Sequence, residues 1–224
     1  MLVPLAYRLA HERLKKSKGA RKSSAWFQRH ANDPHVKRAQ REGKRSRAAF
    51  KLSEILERYE LLNGRDTVVV DLGCAPGSWC QELTCYCGDG GMVIGVDLLE
   101  MRPLPGVRFL QMDFSDMAAH GALEEVLEGR RVDMVVSDMA PELSGNKVVD
   151  QARIINLNEM TLGFAVNHLR EGGHLLLKTF MGEGFDTFRK ELMGWFSSVK
   201  TVKPAASRKS SSEIYLLGQA FRRM

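Results

Sequence analysis

Five short apolar runs, each closing on or just before an ionisable residue, limit what this chain can become. They are TVVVD (67–71), MVIGVD (92–97), VRFLQM (107–112), VDMVVS (132–137) and GHLLLK (173–178). Apolar runs of this length, bounded by turn residues, read as strands buried on both faces. Segments with helical spacing separate or follow them at 78–87, 117–128, 150–170 and 185–195. Such alternation predicts an α/β fold with a doubly wound, mainly parallel sheet and helices on both faces. Two more strands are expected at 198–203 and 212–218, with only PAASRKSSS between them. That connection is too short for a helical crossover, so these last strands should be antiparallel neighbours in a seven-stranded sheet. Ahead of the first strand, Ala48, Leu52, Ile55, Leu56 and Tyr59 recur at helical spacing over 47–59.

In an open parallel sheet, ligands bind outside the carboxyl ends of the strands. Asp71 and Asp97 end the first two predicted strands, Asp113 and Asp138 lie just past the third and fourth, and Lys178 closes the fifth. One rim of the sheet is therefore polar. Lys178 is the most demanding of these groups. An ammonium at the end of a core strand needs carboxylate partners or must give up its proton.

The first strand leads into DLGCAPGSW, a glycine-rich turn before a helix. Such a turn lets a ligand approach the backbone closely. Its spacing, Gly73-x-x-x-Gly77, is not the dinucleotide pattern. An acid at the first strand end favours a ligand with positive charge, and Asp97 at the second suits ribose hydroxyls. A cationic nucleoside, S-adenosyl-L-methionine, fits both.

Charge divides the 224 residues unevenly. Residues 1–51 hold 15 Lys and Arg against Glu12, Asp33 and Glu42, a net of +12, so the remainder, from a total of +6, carries −6. A basic arm on a mildly acidic body is expected of a protein that touches a polyanion. Trp26 and Phe27 in SSAWFQRH add rings able to stack on bases. Residues 1–45 are thus read as a basic arm for a polyanion, with helical pieces around 24–42, and residues 46–224 as the folded body. No apolar stretch approaches the ~20 residues of a membrane span, so no membrane partner is expected. Cys74, Cys80, Cys85 and Cys87 lack C-x2-C spacing. They read as reduced thiols of a cytoplasmic protein rather than a zinc site or disulfide scaffold.

The chain resembles the FtsJ/RrmJ-type (RlmE) ribosomal RNA large-subunit 2′-O-methyltransferases. The matching segments are SSAWFQRHANDPHVKRAQREGKRSRAAFKL, VVDLGCAPGSWCQ, GVDLLEM, FLQMDFSD, VVSDMAPELSG, LLLKTFMGEGFD and SRKSSSEIYLLG, over residues 23–218. The resemblance implies a Rossmann-like S-adenosylmethionine-dependent fold and methylation of a ribose 2′-hydroxyl, a uridine of the 23S rRNA A-loop. It implies a tetrad of Lys51, Asp138, Lys178 and Glu213, with Lys178 as base or orienter of the hydroxyl and Asp138 aligning it. Gly77, Trp79, Asp97, Asp113 and Asp138 match the family's cofactor-contacting positions. No metal is expected. The partner would be 23S rRNA or the large subunit, with a monomer as the default. The alternatives are another RNA such as tRNA, or a ribosome-assembly factor on the same fold. Residue 78 is serine where the family often has a second glycine, and the first ~20 residues extend past the family's usual start.

Overall fold

The computed structural model describes residues 33–62, 66–142, 144–208 and 211–223. Trp26, Phe27 and most of the basic arm lie outside the described residues. What is described opens with α1 (Pro34–Arg41) and α2 (Ala49–Tyr59). Asp33 caps α1 by accepting from the His35 amide at 3.0 Å, and Pro34 takes the first helical position, where a missing N–H costs nothing.

Seven strands follow: β1 (Val68–Leu72), β2 (Met92–Asp97), β3 (Val107–Gln111), β4 (Val132–Ser137), β5 (Leu169–Phe180), β6 (Phe196–Val202) and β7 (Glu213–Phe221). Between them run α3 (Ser78–Leu83), α4 (Met117–Leu127), α5 (Lys147–His168) and α6 (Phe185–Trp195). The sheet order is β3-β2-β1-β4-β5-β7-β6. β7 is antiparallel to both of its neighbours and the other pairings are parallel. The expected antiparallel pair is therefore present, and β7 also inserts between β5 and β6. Chain direction along the sheet reverses between β1 and β4, the crevice where doubly wound sheets bind ligands.

Alternation along the strands, broken in β4 by a register shift between Val132 and Met134, builds two core layers. Val68, Val70 and Leu72 pack with Leu123 of α4, Phe164 of α5 and Phe188 of α6. Val69, Val93 and Val136 pack on the other face with Leu52 and Ile55 of α2 and Leu83 of α3.

Several boundaries differ from the expected ones. α3 stops at Leu83 rather than 87. α5 begins at Lys147 rather than 150 because the Asn146 side chain accepts from the Val148 amide at 3.1 Å. β5 starts at Leu169 and runs past Lys178 to Phe180, since β7 pairs with it that far. None of the helices among the described residues is long and apolar enough to cross a membrane.

Asp71 is the exception in an otherwise apolar β1, at 0% exposure. Its Oδ2 accepts from Cys80 Sγ at 3.1 Å, and its Oδ1 has no hydrogen-bond partner. Burial pushes this carboxyl up to about 7; the Cys80 hydrogen bond opposes the shift and the charges of Asp138 and Asp97 add to it. The Cys80 thiol is itself pushed up, first by its hydrogen bond with Cys74 and then by burial, so it stays a donor. An unfolded aspartate releases its proton near 3.9, whereas folded Asp71 keeps it until about 7. The folded state binds more protons in that window, so this group's contribution to stability falls as pH rises from about 4 to about 7 and is level above. Asp71→Asn cannot titrate. Its stability relative to wild type should climb by a few kcal/mol across that window, as read by urea unfolding at a series of pH values. A difference that stays flat from pH 4 to 7 contradicts this account.

Candidate active site

The polar rim forms in the spatial order that the sheet dictates: Asp113 past β3, Asp97 ending β2, the glycine turn after β1, Asp138 after β4 and Lys178 in β5. At its β5 end, Lys178 is 8% exposed and pairs in register with Tyr215 of β7. Its Nζ lies 3.1 Å from Asp138 Oδ1 and also donates to the Asp138 carbonyl. Tyr215 donates its hydroxyl to the same Oδ1 at 3.0 Å. Lys51, also 8% exposed, projects from the first turn of α2. It pairs with Glu213 Oε1 and reaches the Tyr215 hydroxyl at 3.4 Å. The four expected tetrad residues thus form one network, with the tyrosine hydroxyl joining two ion pairs.

Electrostatics fixes the protonation of several members. Burial works to raise the Glu213 carboxyl, but the Lys51 hydrogen bond and the charges of Lys51 and Lys178 outweigh it and hold it below the usual carboxylate range. Burial, then the charges of Asp138 and Glu213, push the Tyr215 phenol far up, so it remains a donor. Tyr215 was not among the expected site residues. The signal was available: it stands two residues from Glu213, on the same strand face.

The glycine turn shows why its residue types are needed. Gly73 and Gly77 both have left-handed backbone, φ +77° and +94°. A Cβ on Gly73 would come within 2.5 Å of Met139 Cγ, and one on Gly77 within 2.6 Å of Met101 Sδ and 2.9 Å of Arg45 Nη1. Asp97 accepts from the Ala75 amide through Oδ2 and from the Leu99 amide through Oδ1, both at 2.8 Å, tying the end of β2 to the turn. Arg45 fastens the opposite side, donating to the carbonyls of Pro76 at 2.7 Å and Pro103 at 2.9 Å. No local pattern marks Arg45, because its partners are main-chain carbonyls, which every residue carries.

The remaining two positions differ in kind. Asp113 Oδ1 accepts from the amide and hydroxyl of Ser115 at 2.9 and 2.6 Å, shaping the turn into α4; it makes no contact with the tetrad. Trp79 is 3% exposed. Its indole N–H donates to the Ala48 carbonyl at 3.0 Å and its ring packs 5.7 Å from that of Tyr215. The Trp79 side chain therefore braces α2 and the tetrad from the first turn of α3.

A second brace lies behind Glu213. Asp33 takes an ion pair from Arg47 and another from Arg208 at 3.4 Å, and Arg47 also donates to the Ala206 carbonyl. This holds the β6–β7 connection, from which the Ser207 hydroxyl reaches Glu213 at 3.4 Å.

The FtsJ-like methyltransferase family model matches residues 44–221. The ribosomal RNA large subunit methyltransferase E of Azoarcus sp. is 55% identical over 197 residues, 88% of this chain and 95% of that one. Its Acinetobacter baumannii counterpart is 49% identical over 215 residues, 96% and 97% of the two chains. Among solved structures, a Plasmodium falciparum protein described as a ribosomal RNA methyltransferase superposes with a TM-score of 0.70 at 32% identity, over 79% of this chain and 98% of that one. On the family model and on relatives of this identity and coverage, the chain belongs to the FtsJ-like methyltransferases.

Proposed function

We propose that this methyltransferase modifies a ribose 2′-hydroxyl in large-subunit ribosomal RNA, a uridine of the 23S A-loop being the expected target. S-adenosylmethionine is the methyl donor in this reading and the cytoplasm the place of action. One observation carries it: the Lys178–Asp138–Tyr215–Lys51–Glu213 network, in which a buried lysine at the sheet rim is held by a carboxylate beside a glycine turn. The curated relatives, named for methylation of large-subunit ribosomal RNA, support the substrate class.

The rim suits the donor. Each oxygen of Asp97 receives one amide and keeps lone pairs for ribose hydroxyls. The turn's main chain lies open to close approach where a Cβ would collide. Asp138 adds negative potential near the switch point, and Asp71, with one unpartnered oxygen, joins it only as it ionises at about 7 and above. S-adenosylmethionine, when bound, supplies an electrophilic methyl group on a sulfonium whose charge disappears on transfer.

The chain's own task is then to hold and activate a weak nucleophile. Lys178 Nζ, fixed by the carbonyl and carboxylate of Asp138, presents a nitrogen at the rim for the ribose hydroxyl. In its neutral form it removes the hydroxyl proton, and in its charged form it orients the oxygen by donating to it. Tyr215 shares Asp138 Oδ1 and so sets where that carboxylate points. Lys51 and Glu213 form the far wall, where the ribose and its phosphate are placed.

Two experiments test this. Labelled methyl transfer to naked rRNA, ribosomal subunits and tRNA in parallel, followed by mapping of the modified ribose, should give a 2′-O-methyl group in large-subunit rRNA. Lys178→Ala should lower that transfer at least 1,000-fold, roughly the upper range of a positioned base, while S-adenosylmethionine still binds by calorimetry. Near-normal turnover in that variant sinks the assignment. The second concerns the arm, whose residues 1–32 carry eight Lys and Arg against one acid, Glu12. Removing them should weaken RNA binding and flatten its dependence on salt, because fewer counterions are released. An unchanged salt slope refutes an RNA-binding arm.

A further inference from the structure

β5 does not stop at Lys178. It continues through Thr179 and Phe180, which pair with Ile214 and Glu213 of β7. Directly opposed residues of an antiparallel pair share a face of the sheet, and successive residues alternate. Ile214 belongs to the core layer of α5 and α6, and Tyr215 to the layer of α2 and α3. Thr179 therefore faces the first layer, while Phe180 faces the second, together with Lys178. Phe180 stands two residues, about 6.6 Å, beyond Lys178 along the strand, directly across from Glu213.

This ring has no structural use in the core. It is half-buried, but it is packed against neither core layer, and no aromatic contact engages it among the described residues. Its backbone is nevertheless held firmly. Buried Gln151 of α5 donates its side-chain amide to the Phe180 carbonyl at 3.1 Å, and the ladder to β7 holds the other side. A half-buried aromatic side chain on a firmly held backbone thus lies two residues along the strand from the group that handles the ribose, on the same face of the sheet.

We propose that Phe180 is the platform on which the base of the target nucleotide stacks, an inference that rests on the 2′-hydroxyl reading above. The 2′-carbon of a ribose is bonded to the carbon that carries the base. Bringing a 2′-hydroxyl to Lys178 therefore brings the base within reach of residues a few ångströms away. Presenting that ribose to a recessed rim requires the base to leave its stack, and an aromatic ring in the site replaces the stacking it loses. Every base has a π-face, so this platform fixes position and leaves base identity to other contacts.

The test is a cycle between protein and RNA. Once the modified ribose is mapped, the same RNA is prepared with its base and with an abasic residue there, assembled into the subunit if the subunit is what the wild type accepts. Phe180→Leu keeps apolar bulk without the ring, Phe180→Tyr keeps the ring, and Phe180→Met replaces the leucine variant if that one does not fold. On intact RNA, Phe180→Leu should lower kcat/KM by about 10- to 100-fold, with Phe180→Tyr close to wild type and S-adenosylmethionine affinity unchanged in both. On abasic RNA, wild type and Phe180→Leu should agree within about twofold, because the interaction is already gone. Equal losses on the two RNAs, or none on intact RNA, overturn the platform. A wild-type chain that modifies no ribose overturns instead the reading on which it rests.

Discussion

An ammonium almost out of water at the end of a core strand is the constraint to which this rim is built. Desolvating a lone charge costs several kcal/mol or more, and the cost is offset only by opposite charge and hydrogen bonds at close range. Lys178 meets that demand with both the carbonyl and the carboxylate of Asp138. Asp138 then has to be held in turn, and the Tyr215 hydroxyl holds it. A phenol buried that deeply needs packing, which Trp79 supplies from the first turn of α3. From one strand-end lysine, the requirement passes across three strands and reaches the glycine turn.

How much of this is legible in the sequence depends on the range over which each residue acts. Four of the five parallel strands are readable because burial on both faces leaves continuous apolar runs, and the helices between them because their spacing switches to 3.6; β3, expected to be buried like the others, is the sheet's edge strand and only partly buried. Asp97, Asp138 and Lys178 stand out for the same local reason, each being an ionisable residue where an apolar run stops. Lys51 and Glu213 have no such mark. They meet Lys178 only because α2 packs under the sheet and β7 inserts beside β5, and only resemblance to a known family picks them out in the sequence. Trp79 is visible as a motif residue, but its indole serves Ala48 and Tyr215, a use that spacing does not reveal. Arg45 leaves no trace at all, since it binds two carbonyls 27 residues apart, those of Pro76 and Pro103. The helix boundaries were displaced by capping geometry, as at Asn146, which apolar periodicity does not register.

The insertion of β7 has a consequence for the order of events in the cell. Glu213 and Tyr215 lie on the strand that follows every other strand in the chain, and its place is between two that precede it. During synthesis, β1 to β5 can pair and bury their apolar faces as each emerges. At that stage the edge of β5 is open and Lys178 has Asp138 for company, while Lys51 has no carboxylate opposite it. The complete network therefore exists only once β7 has been translated and the gap between β5 and β6 is closed. A protein whose proposed substrate is the translating machine itself thus lacks its complete network until that machine has made the strand that closes the sheet.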